Sequence, residues 1–361
     1  MTPRERVLAV YRNQRPDRLP VGIYGRYHRP GAAEREARNQ GLALLLFHPV
    51  TSLIAPPWHL SPGYVSEVKG AEFSVRYIHD AGQLVEERRY TTRVGDLSQQ
   101  IIKDPVSNSD WVRKHYLAEL EDYKVMQFLV ENSVLEPQDG ALRRLKDDVG
   151  DDGVVLGRLD RSPFQKVLIE LADPQTFLVD YMTDPEPVET LLAMLEEKES
   201  QQVDVALEMP VEAVWQPDNV TVDMTPPGIF ERHCAPFYRK QGAKLRAANK
   251  LYLVHLDGRL APLAAAIADS TFDVVESFSF AEMGNDLPVT EALRLWPDKV
   301  ICPNFPASLS GRNRQEIEAF CAAKVRAFGQ RPFMLQVSED VPSEHYAHVL
   351  ASLTGFFARP S

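Results

Sequence analysis

The sequence predicts an α/β fold of the (β/α)8, or TIM, barrel class, with an N-terminal helix and a long insertion after the second strand. Three observations predict it. Eight short apolar runs recur along the 361 residues. They are rich in Val, Ile, Leu and Phe and lack polar alternation, as strands buried on both faces do. Helical patterns separate most of the runs, and alternating strand and helix builds a parallel sheet. No G-x-G-x-x-G follows an early run, so the open dinucleotide-binding sheet lacks its signature.

The elements follow in order. Thr2 caps a short opening helix, with Pro3 at its first position. LPVGIYG (Leu19–Gly25) is the first strand and VTSLIAP (Val50–Pro56) the second. From about residue 57 to 150 the repeat is interrupted. FSVRYIH and QLVEERRYTTRV read as two strands joined across DAG, a hairpin. Helical stretches follow from about Asp110 to Asp148. This hairpin-plus-helices segment reads as an insertion over the barrel mouth, either a lid or a passive decoration. The repeat resumes with VVLGRLD (Val154–Asp160), AVWQPDN (Ala213–Asn219), LYLVHLDG (Leu251–Gly258), FDVVESFS (Phe272–Ser279), KVICPNF (Lys299–Phe305) and FMLQVSED (Phe333–Asp340). Between them run PPGIFERHCAPFYRKQGAKLRAANK, APLAAAIAD and NRQEIEAFCAAKVRAFG, all helical in pattern. The chain, 1–361, reads as a single barrel domain.

Composition narrows the function classes. The residues are 44% hydrophobic and 25% charged, ordinary for a globular protein. A formal net charge of −11 argues against nucleic acid or an anionic membrane as a partner. No apolar run is long enough to span a bilayer, and the N-terminus has no signal-peptide core. Three cysteines, Cys234, Cys302 and Cys321, make no disulfide framework. The expectation is a cytoplasmic protein.

In a barrel the chemistry gathers where strands end. The first run ends in Arg26, Tyr27 and His28, the third in Arg158 and Asp160, and the fourth in Asp218 and Asn219. The fifth ends in His255 and Asp257, the sixth holds Glu276, and the seventh Cys302 and Asn304. The eighth ends in Ser338, Glu339 and Asp340. Such a set is costly to bury without partners. His255, Glu276 and Cys302 come from consecutive strands, and imidazole, carboxylate and thiolate are ligands that zinc accepts. The same residues also suit a hydrogen-bonded polar cluster, with Cys302 packed as a small hydrophobe. Arg26, Arg29 and Arg158 suit a carboxylate-bearing substrate or internal pairing with acids. His233 and Cys234 are adjacent on a helix and make a poor ligand pair. Cys321 lies in an apolar stripe, and His48, His59 and His79 carry no assigned role.

With these residues in view, the chain resembles the uroporphyrinogen decarboxylase (URO-D) superfamily along most of its length. The resemblance rests on MTPRERVLAVYRNQRPDRLPV, EDYKVMQFLVEN, GRLDRSPFQ, the segment from WQPDNVTVDMTPPGIFERHCAPFY to HLDG, and DKVICPNFP. It implies a (β/α)8 barrel. It also implies one of two chemistries: cofactor-free decarboxylation in haem synthesis, or methyl transfer to or from corrinoid proteins, thiols or pterins, often with zinc.

The chain departs from both patterns. Of the decarboxylase's Met-Arg-Gln-Ala-Gly-Arg-Tyr run, Gly25, Arg26 and Tyr27 match, but Gly22 stands at the earlier arginine. IAPPWHL replaces a tyrosine-serine-aspartate stretch, and Gln336 to Asp340 replaces a glycine-histidine-glycine. Of the His-x-Cys of the thiol methyltransferases, His255 is in place but Asp257 replaces the cysteine. The resemblance therefore implies a metal-assisted O- or N-demethylating methyl transfer on an acidic or methoxylated small molecule. Zinc would sit on His255, Asp257, Glu276 and Cys302. His255, Asp257 and Glu339 are the expected catalytic residues, and Arg26, Tyr27, Arg158 and Asn219 the substrate-binding ones. A corrinoid protein or pterin is the expected methyl acceptor, and a homodimer the expected assembly. The alternatives are a cofactor-free decarboxylase-like carboxy-lyase in tetrapyrrole metabolism, and a non-catalytic binding barrel.

Overall fold

The opening helix, Pro3–Tyr11, begins as its sequence dictates. Thr2 accepts the Glu5 N–H and the Glu5 carboxylate accepts the Thr2 N–H, a reciprocal cap. The computed structural model describes residues 1–54, 65–103 and 110–359. His59 lies outside them, as does most of IAPPWHL. The chain divides into two compact units: Met1–His48, Asp139–Arg158 and Met209–Ser361 form one, Pro49–Gln138 and Leu159–Glu208 the other.

The first unit carries the barrel. Its strands open with β1 (Val21–Tyr24) and β2 (Ala43–Pro49). The second strand thus lies earlier than Val50–Pro56. ALLLF is the more continuous apolar run, and it follows the Ala32–Asn39 helix through Gly41, whose φ of +98° turns the chain. Val50–Ile54 carries Thr51 and Ser52, and it contributes the isolated bridges Thr51–Pro137 and Leu53–Val65.

The second unit holds an antiparallel sheet in the order β3 (Ala71–Asp80), β4 (Gln83–Thr92), β5 (Gly95–Lys103) and β6 (Asp110–Lys114). The β3–β4 hairpin is the expected one. Asp80 faces Gln83, and Ala81 and Gly82 both have positive φ, 48° and 80°, as a type I′ turn requires. The helical expectation for Asp110–Lys114 is corrected: DWVRK pairs with β5, Trp111 opposite Ile102. Helices do follow, at Leu120–Asn132 and Asp139–Val149.

The barrel resumes with β7 (Gly153–Arg158), β8 (Ala213–Gln216), β9 (Leu251–His255), β10 (Val274–Phe278), β11 (Val300–Pro303) and β12 (Leu335–Val337). The order is β11-β10-β9-β8-β7-β2-β1-β12, and an Asn304–Gln336 bridge joins the two ends of the list. The eight strands make a nearly closed parallel barrel with flanking helices, the (β/α)8 fold that the sequence predicts. Alternate residues point inward. Leu45, Leu156, Leu253, Val274, Val300 and Met334 fill the interior, and Tyr11 from the opening helix packs into the same cluster. Each such aliphatic side chain stabilises the fold by roughly 1.5–3 kcal/mol. The same alternation brings Tyr24, Trp215, His255 and Glu276 inward near the strand ends.

Candidate active site

Register makes the centre. On β10, Glu276 pairs with His255 of β9 on one side and Cys302 of β11 on the other. The three residues read from consecutive strands are therefore neighbours. Glu276 is fully buried, and its carboxylate has three donors. Tyr24 Oη donates to Oε1, Trp215 Nε1 donates to Oε2 at 2.6 Å, and His255 Nδ1 lies 2.9 Å from Oε2. The other imidazole nitrogen, Nε2, is 3.3 Å from Asp257 Oδ2. Asn219 Nδ2 donates to that same oxygen at 3.1 Å.

His255 is thus held between two carboxylates. Burial pushes its pKa down, but Asp257 and then Glu276 outweigh burial and hold it at about 10. At neutral pH it is an imidazolium donating from both nitrogens. Glu276 is sealed, whereas Asp257 keeps a third of its side chain exposed (33%). The centre therefore runs from a buried anchor to a carboxylate that meets solvent.

Glu339 completes the arrangement. Its Oε2 accepts the Ala307 N–H at 3.0 Å. Burial raises its pKa; the Ala307 bond opposes this, and the Asp257 charge adds to the rise. Two carboxyl groups at one set of strand ends thus have opposite environments, the arrangement that separates a general acid from a base.

The remaining sequence candidates sort by contact. Tyr27 is half-buried, stacked at 6.5 Å on Tyr24, with the Arg26 guanidinium 5.2 Å from its ring centre. Arg158 lies 5.9 Å from the Trp215 ring. Both cations therefore flank the aromatic wall of Tyr24, Tyr27 and Trp215. Others belong to structure. His28 pairs with Glu34 at 2.7 Å and Arg29 with Asp340 at 2.8 Å. Asp218 accepts from Tyr238 Oη at 2.5 Å, and Asn304 Oδ1 accepts the Ser338 N–H at 3.2 Å. Asp160 pairs with Lys166 in the second unit. Cys321 is buried core, as its stripe predicts.

As bonded here, the donor set of His255, Asp257, Glu276 and Cys302 is a poor fit for a resident zinc. A zinc-bound imidazole must offer a lone pair, and both His255 nitrogens face carboxylates. Cys302 is fully buried, and burial followed by the Glu276 charge pushes its thiol far up. A thiolate ligand is thereby disfavoured. Among the described residues, no group of three or more His, Cys, Asp and Glu could hold an ion.

The sequence reading missed Tyr24 and Trp215. Each occupies an inward position late in its strand, where it reads as core. The available signal was the polar tip, since a buried Tyr O–H or Trp N–H needs an acceptor.

No curated protein matches the sequence. Among solved structures, a methyltransferase from Methanosarcina mazei is similar, with a TM-score of 0.58 and 13% identity over 99% of each chain. A xylose isomerase domain protein from Planctomyces limnophilus follows, with a TM-score of 0.42 and 13% identity over 94% of this chain and 96% of that one. The second is too distant to carry an argument, and the first speaks for the barrel fold alone. Residues 107–354 match the profile of the family described as uroporphyrinogen decarboxylase (URO-D). That match covers more than half of the chain, and the chain belongs to the URO-D family.

Proposed function

We propose that this chain is an enzyme that moves a proton on a small acidic substrate, with Glu339 as general acid and Asp257 as its charged counterpart. The observation that carries this reading is the pair's unequal environment. Asp257 is held by the His255 imidazolium and Asn219. Glu339 is half-buried, with a raised pKa to which Asp257 contributes. Such a pair, with one carboxyl group favoured protonated over the other, is the arrangement that general acid catalysis uses. Arg26 and Arg158 supply cations for a substrate carboxylate.

The reaction class that needs nothing beyond these groups is a carboxy-lyase step. The carbon–carboxylate bond breaks, carbon dioxide leaves, and the electron pair left on carbon takes the Glu339 proton. Methyl transfer is the second reading, brought by the name of the Methanosarcina relative. There the Glu339 proton would go to the oxygen or nitrogen released as the methyl group leaves. A nucleophilic acceptor, a corrinoid protein or a pterin, would have to come from outside the chain.

A panel of small carboxylic acids, with and without methoxy groups, tests both. Carbon dioxide release marks the first reading, and methylation of added cob(I)alamin the second. With whichever substrate turns over, Glu339→Gln should lower kcat about 10²–10⁴-fold. Wild-type turnover by Glu339→Gln and Asp257→Asn would sink the acid–base assignment.

A further inference from the structure

Two guanidinium groups meet at the foot of the barrel, where Val21 opens β1, and one acid serves them. Arg6, on the opening helix, is 8% exposed, and its Nε and Nη2 donate to Asp17 at 2.7 and 2.9 Å. Asp17 also accepts the Arg18 backbone N–H at 3.0 Å and meets the Met1 ammonium at 3.2 Å. A carboxylate accepts about four such bonds, so Asp17 has none left for the Arg18 side chain. Among the described residues, the Arg18 guanidinium makes no hydrogen bond and no ion pair.

The two groups converge on Gly41. A Cβ there would stand 2.2 Å from Arg18 Nη2 and 3.6 Å from Arg6 Nη1, so the missing side chain is what admits both. Arg6, Arg18, Leu19, Val21, Gly41 and Phe357 line an open cleft of about 210 Å³, its mouth included. The opening helix, the lead into β1 and the helix Ser343–Phe357 thus border one space. Burial and then the Arg6 charge lower the Arg18 pKa, and Asp17 does not offset them. An arginine keeps its charge in a protein all the same.

A partly desolvated charge without a counter-ion costs stability, and a like charge beside it adds to the cost. An anion held between the two would remove both costs. Guanidinium forks match the paired oxygens of carboxylate and phosphate groups. We propose that this cleft is an oxyanion site, in which the Arg18 fork and Arg6 Nη1 hold the phosphate or carboxylate group of a small anion. The bound group would tie the opening helix to the first strand and the last helix. The site lies where strands begin, whereas His255 and Glu276 lie towards strand ends, and it is independent of the proposed reaction.

Titration of the nitrogen-15-labelled whole chain with inorganic phosphate, and separately with acetate, tests it at fixed ionic strength. The Nε–H signals of Arg6 and Arg18 and the Gly41 amide should shift saturably, while Arg38, paired with Glu34 and Asp152, stays in place. Tighter binding of phosphate marks a phosphoryl ligand, and tighter binding of acetate a carboxylate. Arg18→Gln should weaken binding by about tenfold or more. The thermal midpoint should rise with the tighter anion in the wild type and by less in the variant. If Arg18→Gln does not fold, the wild-type shifts decide. No saturable shift with either anion overturns the proposal. So does a shift that all arginines share, or equal affinity in wild type and folded Arg18→Gln.

Discussion

Two buried charge clusters, one in each unit, have opposite designs. In the second unit Lys166 is fully buried between Asp160 at 3.0 Å and Glu170 at 3.4 Å, and Arg161 adds a second cation to Glu170 at 3.1 Å. Burial lowers the Lys166 pKa, but Asp160 and Glu170 more than restore it. Every one of these four side chains is less than a tenth exposed. In the barrel, one imidazolium serves two carboxylates, and a third, Glu339, lies near enough to feel Asp257. One member of that set, Asp257, reaches solvent. A network sealed on every side, with Glu199 as a third buried acid acting on Lys166, holds structure. A network with an open end leaves a carboxylate, Asp257, in reach of whatever enters the barrel mouth.

The sharpest way to break this contrast is to remove the sealed cation. Lys166→Met should destabilise the protein by about 3–5 kcal/mol, because it strands buried carboxylates. Urea unfolding measures this. The pH profile of whatever activity is found should stay unchanged in the folded fraction, and a shifted profile would join the two clusters into one functional unit.

Next in size is His255→Gln, which leaves Glu276 and Asp257 without their shared cation. Activity should fall at least about 10²-fold, and stability should lose its alkaline dependence. The sign follows from the raised pKa. The folded protein holds the His255 proton more tightly than the unfolded chain. Its contribution is therefore full below about pH 6.5 and is lost as pH rises through about 10. Denaturant midpoints measured from pH 6 to 10 should decline in the wild type and flatten in the variant.

A smaller effect comes from Tyr24→Phe, which removes one of three donors to Glu276. The expected cost is about 1.5–3 kcal/mol, as for a hydrogen bond to a charged group. The pH profile should also move, since Glu276 braces His255, whereas a purely structural tyrosine would leave the profile in place. Smallest is Asn219→Gly. It keeps the positive φ of 51° accessible and deletes the donor to Asp257. A loss of about 0.5–1.5 kcal/mol in stability is expected, with a modest change in kcat.

Much of this was legible beforehand, for definite reasons. Leu251–Val254 is an unbroken apolar run, and Val274 and Val275 lead directly into Glu276, so these strands and their polar residues are placed by pattern alone. Thr2 and Pro3 announce the first helix, as a capping side chain followed by a residue preset for the first turn. The second strand was misplaced because two apolar runs, ALLLF and VTSLIAP, lie almost end to end, and only pairing with β1 chooses between them. Asp110–Lys114 was misread because five residues are too short for periodicity to separate strand from helix. Ligand types are legible in the sequence, whereas the bonding partners of His255 and Glu276 depend on register.

The sequence by itself determined the alternation of strand and helix, the apolar filling of the barrel, and the presence of His255, Asp257, Glu276 and Glu339 at strand ends. These follow from period and composition, which are local properties of the chain. Only the tertiary structure decided that both nitrogens of His255 are taken by carboxylates, that Tyr24 and Trp215 hold Glu276, and that Glu339 stands in the field of Asp257. Apart from His255 with Asp257, those are contacts between residues far apart in sequence. They depend on differences of an ångström in how neighbouring strands align, and one-dimensional spacing does not carry that information.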